Sequence, residues 1–158
     1  MKKIITNLWY DTDALAAAEF YCSLFDDSEI ISTSYFGEAG PREAGMVLEV
    51  HFRLADQEFV ALNGGPGYTY THAMSLYVNC DDQAEIDRLW EGLLADGGSE
   101  IECGWLKDRW GVHWQIIPTV LPELISAPDR DAANRAMKAM LGMKKIDIAA
   151  LHSAYDGK

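Results

Sequence analysis

Positive charge is scarce in this 158-residue chain. Its 13 lysines and arginines face 25 aspartates and glutamates, giving a formal net charge of −12. A surface of that sign repels polyanions, so no nucleic acid is expected as a partner. Cysteine is scarcer still. Cys22, Cys80 and Cys103 form no CxxC pair, and an odd, scattered set fits a reducing cytosol better than a disulfide framework. Long apolar runs are missing too. No stretch approaches the roughly 18 residues needed to span a bilayer. The lysines of MKKIITNLWYD lead into no signal-peptide core. A cytoplasmic protein without a membrane partner is the expectation. Disorder is disfavoured, because 49% of residues are hydrophobic and only 24% charged. One domain over 1–158 fits the length.

Periodicity divides the first part of the chain into β-α-β-β-β. Ile4 to Tyr10 is a β-rich run. Ala14, Ala17, Ala18, Tyr21, Leu24 and Phe25 then recur at helical spacing behind Asp11 or Asp13 as a cap. Ile30 to Phe36 reads as a strand, and GEAGPREAG (37–45) as a loop. Met46 to Leu54 alternates with period two, and Glu58 to Asn63 returns after a turn at Asp56. GGPGYT (64–69) then breaks the pattern. It lacks the GK[ST] ending of a phosphate loop and is read as a connection.

The same order recurs beyond the break. Ala73 to Asn79 is a strand, Asp82 with Glu85 resembles a capping box, and Ile86, Leu89, Trp90, Leu93 and Leu94 form one stripe ended by Gly97-Gly98. Ile101 to Leu106 and Val112 to Ile117 read as strands turned at Asp108 to Gly111. LWYDTD (8–13) matches LYVNCD (76–81) in pattern and in its closing acid, the mark of an internal duplication. The expected fold class is therefore α+β: two paired βαβββ modules, 3–64 and 72–118, and a helical tail over 119–158. In that tail Pro118, Pro122 and Pro128 punctuate. Asp129 or Asp131 opens a helix that Gly142 ends, and Asp147 starts a last one.

The paired modules and the strings FVALNGGP (59–66), CGWLKD (103–108), WQIIPT (114–119) and AMLGMKKIDIAAL (139–151) resemble the PhnB-like branch of the glyoxalase/bleomycin resistance/dioxygenase (vicinal oxygen chelate) superfamily. The branch often carries the label 3-demethylubiquinone 3-methyltransferase-like. The resemblance runs from about residue 4 to 155. It implies modules curved into a glyoxalase-like cup, a homodimer, and in the wider superfamily a divalent metal held by strand residues. Carried over singly, those ligand positions fall on Ile5, near Ala61, and on Ala73 and Gln115. Only Gln115 is a donor. His72 and His113 are expected one residue off, on the other face. A methyl-transfer site using S-adenosylmethionine normally has a glycine-rich turn after its first strand, and here the chain reads DTDALAAAEF.

Alternation selects the expected ligand set. Asn7 and Trp9 share a face with Ile5, and Asn63 is grouped with them through Ala61. Ser75 and Tyr77 share one with Ala73, joined by Gln115. Cys103, Trp105 and Lys107 are expected on one face of their strand, with Trp114 turned to the core. Aromatic walls with a few uncharged polar groups are typical of small-molecule sites. The expectation is a small-molecule binding protein with ligand-binding residues Asn7, Trp9, Asn63, Ser75, Tyr77, Trp105 and Gln115, and no cofactor. The alternative is a divalent-metal enzyme of the glyoxalase/dioxygenase type, with His72 and Gln115 as metal ligands.

Overall fold

A computed structural model describes residues 2–158 and divides into two compact units, one ending at Thr69 and the other starting at Tyr70. The first contains β1 (Thr6–Tyr10), α1 (Ala14–Leu24), β2 (Glu29–Tyr35), β3 (Val47–Leu54) and β4 (Gln57–Asn63). Its sheet runs β1-β4-β3-β2, with β1 parallel to β4 and the other pairs antiparallel. Period-two alternation puts Val50, Phe52 and Leu54 of β3 in the core beside Ala14, Ala17, Ala18 and Tyr21 of α1. Phe52 stacks on Phe59 at 5.3 Å between centroids and on Tyr21 at 6.3 Å.

The second unit repeats this plan. It has β5 (Leu76–Cys80), α2 (Gln83–Leu94), β6 (Ser99–Glu100), β7 (Trp105–Lys107) and β8 (His113–Pro118), in sheet order β5-β8-β7-β6. The parallel pair is again the first and last strand, so the duplication read from the sequence is a duplication of topology. Asp82 caps α2 by accepting from Glu85 N at 2.8 Å, while the Glu85 carboxylate accepts from Asp81 N at 2.8 Å. Ile86, Leu89 and Leu93 are fully buried where α2 covers β5, β7 and β8.

Three local expectations need correction. β5 starts at Leu76, not Ala73, because Thr71 folds the preceding residues into a turn: its hydroxyl accepts from Ala73 N and its carbonyl from Met74 N. The strand expected over 101–106 is interrupted. Cys103 takes φ +60° and Gly104 φ +81°, and their N–H groups donate to Met143 O and Lys144 O at 2.8 and 2.7 Å. A Cβ on Gly104 would stand 2.8 Å from Ile117 Cδ1 of β8 and 3.0 Å from Ile146 Cγ1 of the tail. Finally, α1 is not closed by an acidic side chain. Asp13 makes no cap bond, and the Asn63 side-chain oxygen accepts from Ala14 N at 2.9 Å instead.

The tail folds as α3 (Val120–Ser126), α4 (Arg130–Leu141) and α5 (Ile148–Asp156). Pattern reading overlooked α3, where Pro122 sits in the first turn and needs no N–H partner. Leu121, Leu124, Ala136, Ile146 and Leu151 close on Ile117 as one cluster. Gln83 ties this layer to α2, accepting from Ile148 N and donating to Ile146 O. No described helix is long and apolar enough to cross a membrane.

Asp108 holds the β7–β8 turn together. Its carboxylate is 1% exposed and accepts from Trp110 N, Val112 N and the Trp114 indole N–H at 2.9, 3.0 and 2.9 Å. Burying a carboxylate costs several kcal/mol, which three donors aimed at one group offset. Asp108→Ala strands the indole N–H and two backbone donors. It should lower unfolding free energy by about 2–4 kcal/mol in urea titrations; a loss within about 0.5 kcal/mol would remove this carboxylate from the account.

Candidate functional site

The face of each sheet turned away from its helix carries Asn7 and Trp9 in the first unit and Tyr77, Trp105, His113 and Gln115 in the second. In the first unit Leu8 and Tyr10 point to the core, so Asn7 and Trp9 point away. Asn7 is exposed, and Trp9 is half-buried. The Trp9 indole N–H donates to Gly65 O at 2.7 Å, and its ring meets Tyr68 edge-on at 4.9 Å. The glycine pair after β4 is what allows this. A Cβ on Gly64 would stand 2.2 Å from the indole ring.

Asn63 does not join Asn7 and Trp9. It pairs with Tyr10, as Ala61 pairs with Leu8, and both face the core. The grouping failed because β1 and β4 are parallel neighbours whose register aligns Trp9 with Leu62, a relation that alternation within a single strand does not contain. Both ends of the Asn63 amide serve the fold, the oxygen at α1 and the nitrogen donating to Val47 O at 3.0 Å.

In the second unit the expected residues do come together. Tyr77 pairs with Gln115 and Trp105 pairs with Gln115, so three strands contribute to one face. Gln115 Nε2 donates to Ser75 Oγ at 2.9 Å. Tyr77 is 48% exposed, and burial of the rest pushes its hydroxyl pKa up. Trp114, one residue along, is buried on the helix side, as expected from alternation. Cys103 lies in the turn at φ +60° and not on an unbroken strand with Trp105. Cys80 is an inert thiol, with burial pushing its pKa up to about 12.

Both histidines depart from expectation. His113 lies two residues from Gln115, hence on the same face, and pairs with Lys107 of β7. His72, held in the turn before β5, puts its ring 4.2 Å from that of His113 and 6.4 Å from that of Trp105. His113 is 3% exposed, yet neither ring nitrogen has a hydrogen-bond partner. Burial holds its pKa below the ordinary value. The neighbouring His72 and Lys107 push the same way, against Asp108. The signal in sequence was the spacing 113–115; nothing in it announced the turn that delivers His72.

A family model described as 3-demethylubiquinone-9 3-methyltransferase matches residues 2–117. The chain belongs to this family. Among solved structures, the PhnB protein from Bacillus cereus is 38% identical with a TM-score of 0.68, over 75% of this chain and 100% of that one. A Pseudomonas aeruginosa protein shares 22% identity and a TM-score of 0.60, over 75% and 98%. A genomically encoded fosfomycin resistance protein from Listeria monocytogenes shares the fold at 14% identity and a TM-score of 0.52, over 78% and 97%. No curated protein matches. Members of the PhnB-like family thus share both modules with this chain, while the family match stops before the tail helices.

A divalent metal of the kind implied by the glyoxalase-like superfamily would require three or four converging His, Cys or carboxylate ligands. Among the described residues no such group of three exists. His72 and His113 are two imidazoles, and Gln115 supplies an amide whose nitrogen is bonded to Ser75. This donor set does not fit a standard site of that type.

Two tests follow from the geometry. Gly64→Ala should displace the Trp9 ring and cost about 1–3 kcal/mol of stability, with a change in Trp fluorescence; an unaltered spectrum and melt would show that the loop yields freely. His113, with its folded-state pKa depressed, disfavours the native state once protons bind the unfolded chain more readily. Its contribution is intact above the unfolded value and is lost as pH falls below about 6.5. Unfolding at about pH 7.5 and about pH 5.5 should therefore show a smaller acid-induced loss in His113→Gln than in wild type; equal losses would contradict the assignment.

Proposed function

We propose that this protein is a small-molecule binding protein of the vicinal oxygen chelate fold, working without a resident metal. Its ligand lies on the face of the second sheet around His113. The observation that carries the reading is His113 itself. A buried imidazole with two unpartnered nitrogens is costly unless something bonds to it. Beside it stand aromatic walls from Trp105 and Tyr77 and the polar pair Ser75–Gln115. Pockets that take small ligands combine flat apolar surface with a few placed polar groups. Methyl transfer, the activity in the family's description, finds no support in the chain: β1 enters α1 through Asp11-Thr12-Asp13, with no glycine turn for a nucleotide-like cofactor.

The proximity of His72 to His113 favours one second reading, a divalent-metal enzyme of the glyoxalase/dioxygenase type completed by Gln115 or a carboxylate from a partner subunit. Metal content separates the two. Purified, untagged protein should hold no stoichiometric metal by mass spectrometry, and chelator should leave its melting temperature unchanged. A thermal-shift screen should then yield ligands whose effect is lost in Trp105→Ala and Gln115→Ala. About one metal equivalent per chain, removed by chelator together with stability and absent from His72→Ala, would overturn the binding-protein reading.

A further inference from the structure

The charge on this one face is opposite to that of the molecule. The strand positions that share it are Tyr77 and Asn79 on β5, His113, Gln115 and Ile117 on β8, Trp105 and Lys107 on β7, and Ser99 on β6. None is an aspartate or glutamate, in a chain where acids outnumber bases 25 to 13. Several cations elsewhere are taken up by carboxylates: Arg42 by Asp11, Arg53 by Glu29, Arg109 by Asp96, Lys145 by Asp87. Lys107 makes no ion pair among the described residues, although it stands directly across from His113. The acid next in sequence, Asp108, is buried and bonded to Trp110 N, Val112 N and the Trp114 indole.

What converges here is a set of donors. Neither ring nitrogen of His113 is partnered, so its N–H is free to donate, and the His72 ring lies 4.2 Å away at a 50° tilt. The Ser75 hydroxyl accepts from Gln115 and so keeps its own proton to give. Lys107 adds three donors and a full charge. Trp105 and Tyr77 border the cluster with flat apolar surface. A neutral ligand would leave Lys107 without use, and a cation would be repelled by it. We propose that the ligand of this site is an aromatic carboxylate, its anionic head between Lys107 and the His72–His113 pair and its ring against Trp105. This inference rests on the reading of the second-sheet face as the ligand site.

The test uses the intact protein, labelled so that histidine and tryptophan side-chain signals are resolved by NMR. Benzoate and 2-naphthoate are each titrated against the matching carboxamide. The carboxylates should shift the His72, His113 and Trp105 signals, and the amides should bind at least about tenfold more weakly, the usual gain of a hydrogen bond to a charged group. In Lys107→Met, whose side chain is exposed and whose melting temperature serves as the folding control, carboxylate affinity should fall about tenfold and amide affinity should hold. Acids and amides binding equally, with Lys107→Met indifferent, would overturn the anionic ligand and leave the site standing. Carboxylates that shift none of these signals, while other compounds in the thermal-shift screen do, would also overturn it. A screen that finds no ligand dependent on Trp105 and Gln115 overturns the underlying reading as well.

Discussion

The second module depends on the buried carboxylate of Asp108. Its bonds to Trp110 N, Val112 N and the Trp114 indole fix a tight turn and anchor a large aromatic side chain under α2 at once. Because strand faces alternate, seating Trp114 inward leaves His113 and Gln115 on the other face. The turn also sets the β7–β8 register, which puts Lys107 opposite His113 and Trp105 opposite Gln115. A slip of one residue would bury Lys107 and expose Trp114. The polar cluster is thus a consequence of how the core is secured.

The two modules share strand order and handle their polar faces differently. In the first, the residues after β4 turn back over Trp9, and Gly65 and Tyr68 take up its N–H and its ring. The equivalent strand end in the second module, Ile117-Pro118, leads into the tail helices, which cover Ile117 but leave Gln115 half-buried and Tyr77 half-exposed. Duplicated topology has here received two different continuations, and the continuation decides which face keeps unsatisfied hydrogen-bonding groups.

Much of this was legible from pattern. Both βαβββ orders, the Asp82–Glu85 cap, the end of α4 at Gly142, the start of α5 at Asp147 and the inward Trp114 follow from periodicity and capping chemistry, while the choice of Asp129 over Asp131 as the α4 cap came from the structure. Asn63 was misgrouped, since alternation orders residues within one strand and says nothing of how parallel neighbours align. Cys103 was placed on an unbroken strand because its positive φ is maintained by Met143 and Lys144, some forty residues later. His72 was assigned by strand parity to a face, and the Thr71 turn removed it from the strand altogether.

Composition and periodicity by themselves determined that this is a duplicated α+β protein with an acidic surface, because burial of apolar side chains at periods of 3.6 and 2 is a local property of the chain. Tertiary structure decided which polar side chains are spent on the fold and which remain available. Asn63 is consumed at a helix terminus and Asp108 at a turn, while His113, buried beside His72 and Lys107, keeps both nitrogens unpartnered. A hydrogen-bonding group is committed only when a partner arrives within about 3 Å, and for these residues arrival depends on strand register and on turns that no local pattern encodes.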